Sequence, residues 1–527
     1  MPASPRRTPL SWIVLGTVTV ASLTLAACSD ANTSDSGGGA ESDADAADLA
    51  PGGDLVIGVT SDPDTLYPWR ATQFQAVNVL GNIYGTLTEL DENLEVTPGL
   101  AESWDVSDDG LTVTFHLREG VTFADGSTFG SEDVVHSLET ILDEETAAVA
   151  RSSLARVETV TAVDETTVEV ALSSPDASLF ANLATVNMAM LSSDDTEDDL
   201  NTTPNGTGPF AFDERVPNQS ISLARNDAYW GDPALLDTVE FRVIPDESSI
   251  VSSLQAGNVQ MAVFDDPLVA DTAAGADVTV TETPQLSYHV LQLNARRGPL
   301  SDVNVRLAIQ CGIDRQQLLD TAALGEGEIT GPITSPAYRS DPNARPCPER
   351  DVERAQEYLA QADVETPVVI ETIVSQGEYA TSVNEAQNLK AQLEEVGIVL
   401  ELDQLESGAF VDRWIAADFD AAVALNGGRP EPDGMYGRYF TSDGNLNEVA
   451  GYSSPELDEL FAQGLQATDE DERKGIYDDV ARHLEDNAAW VWLFTGYTYT
   501  ATHNTLHGFV PMANGSLQYL RTAGFTG

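Results

Sequence analysis

The apolar positions of this chain switch repeatedly between alternating and helical spacing, and each switch marks an element. From Gly53, GDLVIGVT reads as an apolar strand, followed by the turn-rich segment 61–69. Val77, Leu80, Ile83 and Tyr84 then recur at helical spacing, whereas 111–117 alternates behind an Asp-Gly turn as a half-buried strand does. Ser131 and Asp133, just ahead of Val134 and Val135, mark a helix start. Strands are predicted at 157–164, 167–172, 210–213 and 219–225, with a Gly-rich turn at 205–210. TVEFRVI, VQMAVF and SYHVLQLNA carry strand signals between 237 and 295, around an amphipathic helix at 250–256.

After Asn294 helical spacing dominates. Single helices are predicted at 305–319, 350–361, 382–396, 455–465 and 472–487, with strands at 368–374, 398–405 and 420–425 between them. WVWLFTGYTYTAT follows as an aromatic strand. Helix and strand alternate in both halves, which predicts α/β lobes, two or three of them for a chain of this length.

The first residues follow another pattern. Arg6 and Arg7 precede a mostly apolar stretch from Leu10 to Leu23, and small residues then lead to Cys28. A basic start, an apolar run and a small-residue cleavage site define a secretory signal, here 1–27. Leu25-Ala26-Ala27-Cys28 resembles the lipobox of bacterial lipoproteins, which implies lipid attachment at Cys28. Residues 28–51 form a Ser/Asp/Ala/Gly tether whose one large apolar residue is Leu49. Such a segment buries too little surface to order itself. After Cys28 no apolar run approaches the ~18 residues that span a bilayer. The expected location is outside the cytoplasmic membrane, on a lipid anchor.

Composition narrows the partners. The formal net charge is −61, from 86 acidic and 25 basic residues, and Lys390 and Lys474 are the only lysines. That surface repels phosphate backbones and anionic headgroups, so no nucleic-acid partner is expected. The acids are spread over the whole chain, which favours a general solubility role over one cationic site. With Cys28 assigned to the anchor, Cys311 and Cys347 remain as a pair, and a disulfide is expected in an exported chain. No P-loop, dinucleotide fingerprint or Gly-x-Ser-x-Gly elbow occurs. His503 and His507 with Glu485 suggest a metal site only superficially, because HNTLH lacks the HExxH glutamate. His116, His136, His289 and His483 read as structural singletons, and no metal or cofactor is expected.

Residues 87–138 carry more specific motifs: Pro98-Gly99-Leu100-Ala101-Glu102-Ser103-Trp104, Asp108-Asp109-Gly110, Leu117-Arg118-Glu119-Gly120-Val121 and Phe123-Ala124-Asp125-Gly126. Gly206-Thr207-Gly208-Pro209-Phe210, Arg225-Asn226-Asp227-Ala228-Tyr229-Trp230, Asn304-Val305-Arg306 and Gly451-Tyr452-Ser453-Ser454-Pro455 follow in order. This series resembles the family 5 solute-binding proteins, the peptide- and nickel-binding components of ABC importers. The resemblance implies an α/β, two-lobed periplasmic-binding-protein-like clamp with an extra subdomain in the first lobe. Mapped onto this chain, lobe I is 52–90, 205–290 and 497–527, its inserted subdomain is 91–204, and lobe II is 291–496. SYHVLQLN and WVWLFTGY become the hinge strands.

Peptide-binding relatives hold the ligand's amino terminus with an Asp whose position here is Gly428, and a dipeptide's carboxylate with an Arg that falls near Gly377. Both charge anchors are missing, which argues against a short peptide gripped by its ends. Family cleft loops place Ser61, Asp62, Thr65, Leu66, Gln376, Tyr379 and Asn426 as ligand-binding candidates, with Tyr436 as an apolar wall. Arg429 either faces an anionic ligand group in forked geometry or sits on the rim paired with Glu431. The expected function is capture of a peptide or peptide-like solute by a monomer that delivers it to an ABC permease, without catalysis. A nickel or metal-chelate binder of the same family is one alternative, and a secreted glycoside hydrolase is the alternative from another class.

Overall fold

The computed structural model describes residues 49–377 and 379–526. The expected signal peptide, Cys28 and nearly all of the tether lie outside the described residues. The tether ends earlier than expected: Leu49–Ala50 pairs antiparallel with Gly524–Thr526, which also pairs with Leu506–His507. Leu49, the segment's one large apolar residue, packs beside Gly508 and Gly524 and so joins the folded body.

Two large sheets organise that body. The first runs, edge to edge, Val278–Pro284, Tyr497–His503, Met261–Phe264, Asp54–Val59, Thr238–Val243, Ser220–Arg225 and Phe210–Val216. The second runs Glu328–Ile329, Trp490–Thr495, Tyr288–Leu293, Ala421–Asn426, Val368–Gln376 and Ile398–Glu406. Each mixes parallel and antiparallel neighbours: Asp54–Val59 lies parallel to Thr238–Val243, and Val368–Gln376 parallel to Ile398–Glu406. The inner strands Tyr288–Leu293 and Trp490–Thr495 are buried at every position, as continuous apolar runs require when helices cover both faces. The fold is a two-lobed α/β clamp, one lobe on each sheet.

A four-stranded antiparallel sheet is inserted in the first lobe: Ala101–Val106, Thr112–Leu117, Thr167–Leu172 and Val157–Asp164. The alternation seen at 111–117 buries Val113, Phe115 and Leu117 on one face. Helix Ser131–Leu142 covers that sheet. It begins at Gly130, whose backbone N–H donates to the Asp133 carboxylate at 2.9 Å, the reciprocal half of a capping box.

Three expectations change at element boundaries. The single helix expected at 305–319 is two, Val303–Gly312 and Arg315–Ala322, because the Asp314 carboxylate caps the second through the Gln317 N–H at 2.8 Å. WVWLFTGYTYTAT is likewise two strands, Trp490–Thr495 and Tyr497–His503, one in each large sheet, divided at Gly496. Tyr288–Leu293 belongs wholly to the second sheet, so the chain crosses between lobes at 285–287, ahead of the expected 290/291 boundary. These two crossings are strapped together. Gln285 N–H donates to Gly496 O at 2.9 Å. The Thr495 hydroxyl lies 2.6 Å from Gln285 O and 2.7 Å from Ser287 O.

The second lobe encloses charge as well as carbon. Cys311 and Cys347 are bonded, with Cα atoms 5.0 Å apart. Closing that loop stabilises by roughly 4 kcal/mol in the chain-entropy account. Arg473 forks onto Glu431, Nη2 to Oε1 at 2.5 Å and Nη1 to Oε2 at 3.1 Å, with both side chains under 10% exposed. The rings of Tyr338 and Tyr477 flank the guanidinium at 5.5 and 5.3 Å. Removing one member of a buried pair strands the other charge. Arg473→Ala is therefore expected to lose about 3–5 kcal/mol of unfolding free energy, read as an earlier urea midpoint; an unchanged midpoint would show that water already compensates this pair.

Candidate functional site

Between the lobes lies a cleft of about 1460 Å³, floored by the two crossings: Gln285, Leu286, Ser287 and Gly496 line it directly. The first-lobe wall comes from helix Phe74–Leu80, the start of helix Glu247–Gln255, and the loop that leaves Met261–Phe264 with Asp265 and Asp266. Opposite stand His289 and Phe494 on the central strands of the second sheet, Leu324 and Glu326 beyond helix Arg315–Ala322, and Tyr379 with Thr381 ahead of helix Ser382–Glu394. Phe74, Leu268 and Leu324 are 44%, 63% and 68% exposed and all line the cleft. Large apolar side chains left in water around a concavity mark a surface that something else covers.

The charged residues of the cleft are mostly acidic. Glu89, Glu247, Asp265, Asp266 and Glu326 line it against one arginine, Arg521, which is already paired with Glu89 at 2.6 Å. Burial raises the Glu247 pKa, and the neighbouring carboxylates of Asp266, Asp265 and Asp246 raise it further. Burial likewise raises Asp265, against a hydrogen bond from Thr498. Glu326 accepts from the Tyr499 hydroxyl at 2.7 Å. Among the described residues none of Glu247, Asp265, Asp266 and Glu326 has a basic partner within 4 Å.

His289 stacks on Phe494, ring centroids 4.0 Å apart and planes 11° apart, and is 8% exposed. Its Nδ1 is 2.9 Å from Glu385 Oε1, a close contact that is not aligned as a hydrogen bond. Glu385 is fully buried and also accepts from the Thr381 hydroxyl at 2.5 Å. The imidazole is thus braced from behind by a carboxylate while its ring borders the cleft.

Of the residues singled out in the sequence, Tyr379 lines this cleft. The others sit elsewhere, each for a physical reason. Asp62 pairs with Arg215 at 2.8 Å, and the Thr65 hydroxyl donates to Asn201 at 2.8 Å. Leu66 is 1% exposed in the first-lobe core, and Ser61 precedes it on the outer turn, away from the cleft lining. Gln376 bonds Gln404 on the neighbouring strand at 2.9 Å. Asn426 is buried between Gln292 and Tyr288. Tyr436 is not a cleft wall: it is fully buried, with its hydroxyl donating to Pro332 O and accepting from Trp492 Nε1. Arg429 is exposed beside Arg438 rather than paired with Glu431, whose two oxygens are both taken by Arg473.

Gly428, expected from the sequence to stand where peptide-binding relatives carry an amine-binding Asp, lines the cleft. A Cβ there would lie 1.8 Å from the carbonyl oxygen of Leu286, so the loop can approach the crossing this closely only as glycine. An aspartate would collide with the hinge. Glu485 of the superficial His-Glu set is buried against Arg345 at 3.0 Å in the second lobe, whereas His503 and His507 lie on first-lobe strands. Among the described residues no group of three His, Cys, Asp or Glu side chains is placed to hold a metal ion. None of their helices is long and apolar enough to cross a membrane.

Residues 95–447 match the family described as bacterial extracellular solute-binding proteins, family 5 middle, and the chain belongs to that family. It is 26% identical over 485 residues to the glutathione-binding protein GsiB of Shigella dysenteriae, covering 86% of this chain and 91% of that one. To the probable di/tripeptide-binding protein 5 of Pseudomonas aeruginosa it is 28% identical over 459 residues, covering 81% and 87%. The structure of HbpA2 from Haemophilus parasuis superposes with a TM-score of 0.82 at 23% identity, over 90% of this chain and all of that one. The chain is a solute-binding protein of the ABC-transporter class, and its family is not one of enzymes.

One carboxylate beside the Glu431–Arg473 pair titrates unusually. Burial, then the charge of Glu431, pushes the Asp433 pKa up to about 6, with Arg156 pulling the other way. The folded protein therefore holds this proton more tightly than the unfolded chain, so stability from this group is full below the ordinary carboxyl range and is lost as pH rises toward 6. Asp433→Asn is expected to stabilise by on the order of 1–3 kcal/mol at pH 7.5 and to match the parent below pH 4. Melting curves at both pH values decide it; equal melts at pH 7.5 would mean that Asp433 is solvated.

Proposed function

We propose that this protein captures peptides or peptide-like solutes between its lobes, outside the cytoplasmic membrane, and hands the closed form to an ABC permease. One observation carries this reading: a cleft of about 1460 Å³ lined by both sheets, whose chain connections are the short crossings at 285–287 and Gly496. Lobes joined by a few strapped residues can rotate about them, and hinge closure around a ligand is the motion that geometry permits. The names of the relatives, which specify glutathione and di/tripeptides, support the peptide-like class. The acyl anchor at Cys28, the tether behind it and a monomeric working form belong to the same proposal.

Contacts between the second lobe and the inserted segment favour closure. Lys474 of the second lobe reaches Glu95 of the inserted segment at 2.7 Å, and Ala177 N–H donates to Leu465 O at 2.9 Å. An exposed ion pair contributes about 1 kcal/mol at most. Lys474→Met is thus expected to shift the ligand-free protein toward open forms by up to about 5-fold, seen as a larger radius of gyration by X-ray scattering. The same radius in parent and variant would show the pair to be idle.

The deciding experiment is mass spectrometry of small molecules released from the purified protein, then calorimetry and scattering with each. A solute that binds and shrinks the particle is expected; conversion of a compound with no such shrinkage would replace capture by chemistry. Cys28→Ala is expected to free the protein from the membrane fraction. Continued sedimentation with membranes would discard the anchor.

A further inference from the structure

The cleft carries a charge preference that neither the family nor the names of its relatives specify. Four of its carboxylates, Glu247, Asp265, Asp266 and Glu326, lack a basic partner among the described residues, and its one arginine is engaged by Glu89. Like charges gathered in a concavity repel one another: burial and then the charges of Asp266, Asp265 and Asp246 raise the Glu247 pKa, whereas Asp265 is raised by burial alone. Acids alone would be a solvated patch. A separate feature of the second-lobe wall points the same way. His289 is buried except for 8% of its surface, its Nδ1 faces Glu385, and its ring lines the cleft with no partner for Nε2 among the described residues. Its Nδ1 has no aligned hydrogen-bond partner, and a neutral imidazole can offer a solute either a lone pair or an N–H at Nε2. The cleft is thus rich in carboxylates and short of positive charge, Arg521 being the one arginine in its lining. Phe74, Leu268 and Leu324 add exposed apolar surface to the same cavity.

We propose that the cleft selects solutes that carry an ammonium or guanidinium group beside an apolar portion, the cation being held by Glu247, Asp265 and Asp266 and a further polar group by His289 Nε2. The proposal rests on the capture reading above and names its ligand class. It places recognition on the first-lobe wall, not at the Gly428 loop, where Leu286 leaves no room for an acid. A lysine- or arginine-containing peptide with aliphatic neighbours fits all three features. Glutathione-like acids do not, since their extra carboxylate would meet the acidic wall.

The test compares two pentapeptide pools of alanine and leucine, one carrying a single lysine and the other a single glutamate, by calorimetry on the full protein. The lysine pool is expected to bind at least 10-fold more tightly. In Glu247→Gln/Asp265→Asn/Asp266→Asn the preference is expected to fall to within about 2-fold. The amides keep the size of each side chain, and Asp266→Asn retains a side-chain oxygen for the helix cap now made by Asp266 on the Leu268 N–H. His289→Leu is expected to weaken lysine-pool binding several-fold while leaving some lysine-over-glutamate preference. Melting temperatures confirm that each variant is folded. Equal binding of both pools, or a preference surviving the triple substitution, overturns the proposal. Should neither pool bind, the peptide reading fails by itself. Spermidine against glutarate then decides the charge preference: stabilisation of the parent by spermidine, absent in the triple variant, supports it, and no difference overturns it.

Discussion

Everything in this molecule that can open or close turns on a few hydrogen bonds where two strands pass between sheets. Gln285 N–H to Gly496 O, and the Thr495 hydroxyl between the carbonyls of Gln285 and Ser287, tie the two crossings into one unit. Had they been independent, each would bend by itself and the lobes would wander. Strapped side by side, they restrict the lobes to a shared rotation. The same unit is the floor of the cleft, so the residues that define the axis are also those a bound solute rests upon. The Thr334 hydroxyl adds a third support, donating to Leu286 O at 2.5 Å from the second lobe. Motion and recognition are coupled here by shared atoms, not by a route between distant sites.

Charge is distributed by the same economy. A chain with 86 acids and 25 bases cannot neutralise its carboxylates by pairing. Its scarce guanidinium groups go where an unpaired acid would be most costly: Arg473 on Glu431 and Arg345 on Glu485, all four side chains buried. Glu247, Asp265 and Asp266 are left uncompensated in the cleft, and Asp433 is left buried beside the Glu431–Arg473 pair. In the open cleft, water still solvates Glu247, Asp265 and Asp266. On closure that water is displaced, and a solute able to replace it with positive charge is favoured over one that is not.

Much of the fold was legible in the sequence because periodicity survives burial. The alternation at 157–164 and 167–172 became Val157–Asp164 and Thr167–Leu172 without change of bounds. Helix breaks were less visible. Cys311-Gly312-Ile313-Asp314 keeps an apolar spacing straight through the point where Asp314 caps a new helix, so pattern alone joined the two. Residues 490–502 failed to divide for a similar reason: aromatic and β-branched residues suit both sheets equally, and Gly496 is the single clue. The site was the least legible part. Asn426 lies on a strand between Leu425 and Gly427, which line the cleft, but alternation of side-chain direction turns it into the core, and Leu66 and Tyr436 are buried in cores as well. His289 escaped for the opposite reason. A lone histidine on an apolar strand has no sequence signal that separates a core residue from a cleft residue, and its partner Glu385 is nearly a hundred positions away.

Gly428 shows why the loss of an anchor need not mean the loss of binding. A carboxylate on this loop would fix where a peptide ligand held by its amino end must begin. Here the loop lies against Leu286, and that contact forbids any side chain. The hinge thereby gains packing, and the cleft loses the group that would count residues from the ligand's end. Selection then passes to walls that recognise charge and apolar surface wherever they occur along a solute. A wall of this kind tolerates variation in ligand length, because nothing in it measures the distance between two termini. It also places the attraction on the first lobe, with the stacked His289 and Phe494 on the second, so that full binding is reached only when both lobes touch the same molecule. A clamp in which neither half holds the solute alone closes because the solute supplies the missing contacts, and that dependence is what distinguishes a loaded binding protein from an empty one.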